Sequence, residues 1–169
     1  MSKNMAMIYC NEKFFMIKSY LNSGLSMVNP EQGFIYLPLN VDVSILGNLT
    51  KEKIRDYKEI DWELFLEIMN SQKLDIKNKD SEEYIKIHFG YKSSMSIYKK
   101  MKSLMIELDE DKFILTAMHK YKASNYEPIE DEEGKILSFE YPKDISDERL
   151  GNAIKKPFGG LLEIYLRRR

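Results

Sequence analysis

The sequence predicts a single α+β domain: a mainly antiparallel sheet of about five to seven strands, with three or four helices packed mainly on one side. Three observations carry this expectation. Apolar-aromatic runs of strand length come in pairs around short polar connections, and helical spacing appears behind capping residues in the intervening segments. The 169 residues, 43% hydrophobic and 31% charged, fit one core. A chain of this size buries roughly two thirds of the surface it exposes when unfolded and folds without staples.

Met5 to Cys10 and Phe14 to Tyr20 are apolar and aromatic runs separated by Asn11, Glu12 and Lys13, the pattern of a β-hairpin. The segments SYLNSGLS and NPEQG supply turn chemistry. Gly33 to Leu39 follows as a short strand ended by Pro38, which cannot donate to a ladder. Helical spacing then takes over at Val43, Leu46, Leu49 or Thr50, and Ile54, with Asp42 or Ser44 placed to cap the first turn. A second helix starts behind Asp61, where Trp62, Phe65, Leu66 and Met69 build an apolar face. The lysine-rich stretch from Gln72 to Glu82 reads as a solvated surface connection.

From Gly90 to Leu108, GYKSSMSIYKKMKSLMIEL joins a basic aromatic turn to a short helix over 93–101, with Ile97 and Met101 on one face and Met95 near it. Leu104 to Leu108 and Phe113 to Met118 flank Asp109, Glu110 and Asp111 as a second hairpin. A loop runs from Tyr121 to Gly134, and Ile136 to Tyr141 returns as a strand ended by Pro142. Ser146 caps a last helix through Leu150, Ala153 and Ile154 that stops near Pro157, and LLEIYLRRR follows as a possible extra strand. The single domain 1–169 thus divides into N-terminal strands (1–40), helices (41–72), a central motif and strands (84–141), a last helix (146–156) and a tail (157–169).

A formal net charge of −1 removes the global electrostatic case for nucleic-acid binding, although local patches stay open. The single cysteine, Cys10, cannot form an internal disulfide or a Cys-rich zinc site, which suits a reducing compartment and makes the cytoplasm the expected location. Asn11, Glu12 and Lys13 interrupt the N-terminal apolar run before it reaches signal-peptide or membrane-span length.

His88 and His119, the two histidines, lie in separate apolar segments outside any HExxH, HxH or Cys-linked spacing. They read as structural, and a small hydrolase built on either with a nearby carboxylate is the weakest functional reading. Tyr91, Lys92, Tyr98, Lys99 and Lys102 interleave aromatic and basic residues, a pattern that can grip phosphates and stack bases. The competing reading makes them a short helix with solvated lysines. Arg167, Arg168 and Arg169 read as a solubilising tail. Glu127, Glu130, Asp131, Glu132 and Glu133 create a local negative field that can steer a basic partner, or else form a solvated hairpin tip. EPIEDEEG lacks the alternating ligands of a calcium loop, so neither metal nor cofactor is expected.

One internal echo stands out. Pro38 followed by LNVDVSILGNL and Pro142 followed by KDISDERLGNAI place Leu-Gly-Asn in the same register. Coincidence aside, the reading is that both helices pack glycine-close against the sheet.

GYKSSMSIYKKMKSLMIEL resembles the signature of the immunity proteins of bacterial contact-dependent growth inhibition systems, in which a Gly-Tyr-Lys, a Tyr-Lys-x-Met-Lys and a following strand occur in this order. GFIYLP with the Leu-Gly that ends at Gly47 looks like the first strand-to-helix segment of that family, and YPKDISDERLGNAI looks like its closing pattern. The resemblance covers most of the chain from Gly33 onward and departs at Pro157, Gly159 and Gly160, which break the last helix. It implies a cytoplasmic antitoxin without catalysis that binds the C-terminal toxin domain delivered by a neighbouring cell and occludes its active site, many such toxins being nucleases. It supplies no contact residues; the acidic segment from Glu127 to Glu133 is nominated on charge alone. The alternative is a nucleic-acid-binding module using Tyr91, Lys92, Tyr98, Lys99 and Lys102.

Overall fold

The computed structural model describes residues 3–122 and 125–161. Two hairpins form its centre. In the first, β1 (Asn4–Cys10) and β2 (Phe14–Asn22) run antiparallel around a turn that Asn11 closes, its Oδ1 accepting from the backbone N–H of Lys13 (2.9 Å) and Phe14 (3.2 Å). Two further strands line the other edge of β2, with β3 (Ser26–Val28) against its C-terminal end and β4 (Ile35–Pro38) against its N-terminal end. The helix α1 (Val43–Arg55) follows, then β5 (Lys58–Glu59), α2 (Trp62–Asn70), α3 (Lys73–Phe89) and α4 (Ser94–Tyr98). The second hairpin is β6 (Lys102–Asp109) with β7 (Lys112–Lys122), flanked by β8 (Asn125–Pro128) and β9 (Ser138–Pro142). Last comes α5 (Asp147–Lys156), and Pro157–Leu161 winds one wide turn where Gly160 takes φ 121°. The antiparallel α+β architecture is the expected one, with more strands and helices than the sequence announced.

The two hairpins meet through an antiparallel β1–β6 ladder whose middle pair is Met7 opposite Met105. Around that pair the halves repeat each other. Pro38 of β4 lies opposite Phe14, the first residue of β2, and Pro142 of β9 lies opposite Lys112, the first residue of β7. Asn29 N–H donates to the Ser19 carbonyl at 3.0 Å, and Ile129 N–H donates to the Ala117 carbonyl at 2.9 Å. Val41 N–H closes on the Pro38 carbonyl and Ile145 N–H on the Pro142 carbonyl, both at 3.0 Å. The chain is thus a pseudo-two-fold arrangement of two four-stranded, one-helix units, with β5, α2, α3 and α4 inserted between them.

The sequence echo is the trace of this repeat, with one correction. Gly47 and Gly151 bring α1 and α5 against each other rather than against the sheet. A Cβ on Gly47 would lie 2.0 Å from the Asp147 carbonyl oxygen, and one on Gly151 would lie 1.8 Å from the Val43 carbonyl oxygen. Each helix starts where the glycine of the other makes room for its backbone. Lys51 Nζ donates to the Ile145 carbonyl and Lys155 Nζ to the Val41 carbonyl, both at 2.6 Å, so even the lysines reciprocate. Asp42 caps α1 as expected, accepting from Ser44 N–H at 2.8 Å, and Ser146 caps α5 through Arg149 N–H.

Helices cover both faces of the sheet, not mainly one. Ala6, Ile8, Phe15, Ile17, Leu104 and Ile106 meet Leu46, Ile54, Leu150 and Ile154 of α1 and α5. On the opposite face Met7, Tyr9, Phe14 and Met16 meet Ile85 of α3, Ile97 of α4 and Tyr91. Double coverage is why FFMI at the start of β2 is apolar without alternation, each fully buried side chain contributing about 1.5–3 kcal/mol.

The helices on this second face correct several expectations. Gln72 to Glu82 is not a loop but belongs largely to α3, which Gly90 ends in the left-handed conformation at φ 69°. Ser81 and Ile85 are its buried residues, so its charges are solvated as expected while its backbone is helical. In α2 the buried pair is Phe65 and Ile68, leaving Trp62 and Met69 about half exposed. Met95 of α4 is 81% exposed rather than close to Ile97. Beyond Leu161 the proposed strand in LLEIYLRRR and the terminal arginines lie outside the described residues.

Candidate functional site

The acidic segment does not form one open loop. Its first part is strand β8, where Glu127 stands directly opposite His119 of β7 and its carboxylate meets His119 Nε2 at 3.0 Å. That cross-strand pair places His119 structurally. Ile129 is buried, and a bridge between Glu130 and Ile136 closes a tight turn. Asp131 holds the turn from inside, its Oδ1 accepting from the N–H of Glu133 (3.0 Å) and Lys135 (2.9 Å), while Gly134 takes φ 77°. Glu130, Glu132 and Glu133 are exposed. Of the five nominated carboxylates, then, Glu127 is paired within the sheet, Asp131 shapes the turn and three are presented by it.

The basic aromatic set is dispersed. Tyr91 is buried edge-on against Phe14, with Lys13 Nζ 4.4 Å from its ring centre. Tyr98 is half-buried at the end of α4, Lys92 and Lys99 are exposed, and Lys102 starts β6. The aromatic and basic groups do not share one exposed face. His88 stacks on Tyr84 with ring centres 3.9 Å apart and bonds the Tyr84 carbonyl through Nδ1, on a different element from His119. Cys10 is buried, which pushes its thiol up to about 12 and leaves it unreactive at neutral pH. Among the described residues no three His, Cys, Asp or Glu side chains converge on a possible metal position, and no helix is long and apolar enough to cross a membrane.

One residue passed over in the sequence proves unusual. Lys18 sits in FFMIKSYLN of β2, and the residue is only 8% exposed. The signal was available, since a lysine in an otherwise apolar central strand departs from the usual exposure of that residue type.

Fold and surface together define a two-faced α+β domain that presents a negatively charged turn. The chain belongs to the CdiI family, described as CDI immunity protein, whose sequence model matches residues 4–159. Two solved structures share the fold. A protein of unknown function, NMB0488 from Neisseria meningitidis, superposes with a TM-score of 0.76 at 17% identity over 91% of this chain and 92% of its own. A chain from the CdiA-CT/CdiI toxin and immunity complex of Yersinia pseudotuberculosis gives 0.75 at 16% identity over 92% of this chain and 95% of its own. No curated protein matches the chain.

Proposed function

We propose that this protein is a cytoplasmic, non-catalytic antitoxin that binds the C-terminal toxin domain of a contact-dependent growth inhibition effector, a nuclease, and occludes its active site. The family match over residues 4–159 carries this reading. The shared fold with a chain of a toxin and immunity complex supports it, as does the charge of the turn. A nuclease holds phosphates on a basic surface, and the exposed Glu130, Glu132 and Glu133 offer that surface a complementary field. Asp131 fixes the direction in which those carboxylates are shown, so association does not wait for the turn to order.

The test is co-expression with the toxin domain encoded immediately upstream. Cells carrying both proteins survive and cells carrying the toxin domain alone die; equal killing in both cultures would end the proposal. Nuclease assays on the purified pair then separate active-site occlusion from binding elsewhere, because occlusion abolishes cleavage at stoichiometric immunity protein.

A further inference from the structure

On the face of the sheet opposite α1 and α5 lies a cavity of about 480 Å³ lined by residues of β1, β2, β3, β7 and β8 and of the helices α3 and α4. This is a size suited to a small-molecule group. Lys18 lines it. Its ammonium has Phe34 at 4.4 Å and Tyr9 at 5.3 Å from the ring centres, and no hydrogen bond or ion pair among the described residues. The ammonium therefore borders the cavity between ring faces, and its hydrogen-bond donors are left to whatever fills that space.

The rest of the lining sets the chemistry an occupant must match. The hydroxyls of Tyr9 and Tyr20 meet at 2.8 Å, and Tyr98 and Tyr126 add two further phenols. Asn78 contributes an amide, and Met16, Met27 and Val28 make an apolar end. Two further charged groups line the space. They are Glu82, which accepts from Ser94 Oγ, and Lys120. Lys18 and Lys120 against Glu82 leave one positive charge uncompensated. One singly charged anion closes that balance. A phosphate monoester, mostly dianionic at neutral pH, overshoots it and meets the Glu82 carboxylate.

We infer that the cavity binds a monocarboxylate on an apolar stem, with the carboxylate on Lys18, a phenol donating to it, and the stem against the methionines and Val28. Burial pushes the free Lys18 ammonium down to about 8, against the opposing pull of Glu82, and a bound carboxylate restores it. The same chemistry can come from a free organic acid or from an acidic side chain of the toxin domain.

The experiment titrates the full chain with hexanoate and 3-phenylpropanoate, followed by calorimetry and by tyrosine fluorescence, with 3-phenylpropanamide and phenyl phosphate as controls. The acids are expected to bind at least about tenfold more tightly than the amide and than the phosphate. Lys18→Met abolishes the preference for the acid over the amide, and Glu82→Gln preserves or strengthens it. Wild-type affinity for the acids falls as the pH rises from about 7 to about 9, because Lys18 titrates in that range among phenols whose own pKa values burial raises. Equal binding of amide and acid, tighter binding of the phosphate, or no binding of either acid at millimolar concentration overturns the inference. Repeating the toxin titration with the cavity saturated by acid distinguishes the sources. Weakened toxin binding assigns the site to a toxin carboxylate, and unchanged binding assigns it to a free acid.

Discussion

At the scale of single residues, the costs in this fold are concentrated where backbone or charge has no room to adjust. Gly47→Ala puts a methyl group against the Asp147 carbonyl, and Gly151→Ala puts one against Val43, both backbone atoms of a packed helix start. Each substitution is expected to destabilise by about 3 kcal/mol in urea unfolding with an unchanged slope, since two helix backbones must part to admit it. Lys18 gives a pH signature. It titrates near 8 in the fold against 10.5 for a solvated lysine, so between those values the unfolded chain holds more protons and stability rises with pH. Cys10, raised by burial from 9.0 to about 12, acts in the opposite sense from about pH 9, and Tyr9 and Tyr20 do so above about pH 10, so the rise is read between about pH 8 and pH 9. Glu82, Tyr98, Lys120 and Tyr126 face the same space and are common to wild type and Lys18→Met, so the difference between the two isolates the lysine. The variant is expected to be more stable by up to about 3 kcal/mol below pH 8 and to lose that advantage by pH 10. Lys18 was visible in the sequence as an oddity, but its setting was not, because Phe34 and Glu82 reach it from elements far away along the chain.

At the scale of elements, the central hairpins and the capped helices announced themselves best. The two central hairpins were legible because their apolar runs break at Asn11 to Lys13 and at Asp109 to Asp111, and α1, α2 and α5 because Asp42, Asp61 and Ser146 mark their starts. The helix α3 was hidden for a physical reason. It buries little more than Ser81 and Ile85 on one side of 17 residues, so the pattern of KLDIKNKDSEEYIKIHF carries almost no period. The short strand β8 was hidden by the charge of its neighbours, and its role became readable only once His119 stood opposite Glu127. The acidic turn makes its own prediction at this scale. Neutralising Glu130, Glu132 and Glu133 together to glutamine should slow toxin association about tenfold at low salt and flatten its salt dependence, with dissociation nearly unchanged, as measured by stopped-flow mixing. Gly134→Ala, which strains the turn at φ 77° without removing a carboxylate, should lower affinity through ordering entropy instead, leaving the salt dependence as it was.

At the scale of the whole molecule, the repeat explains why two distant stretches of sequence look alike. The Pro-to-Gly register of Pro38 to Gly47 and Pro142 to Gly151 persists because each segment performs the same task for the other: a turn off the sheet, a cap, and a glycine at the helix crossing. Sequence reading found the register but assigned the close approach to the sheet, because a single copy of the motif cannot show that its partner is the other copy. A double-mutant cycle tests the reciprocity. Gly47→Ala and Gly151→Ala made together should cost less than the sum of the two, since helices already forced apart by one methyl group admit the second more readily.

The β1–β6 ladder, centred on Met7 and Met105, has a kinetic consequence. Each hairpin closes over a short loop, whereas this seam joins strands separated by most of the chain and bears a much larger closure entropy. Refolding should therefore proceed through halves that zip early and a seam that closes late. Because the seam pairs two similar edges, a second chain can offer the same edge before the first finds its own. Refolding at rising protein concentration is expected to divert a growing fraction into exchanged dimers, detectable by size-exclusion chromatography, while dilute refolding yields monomer.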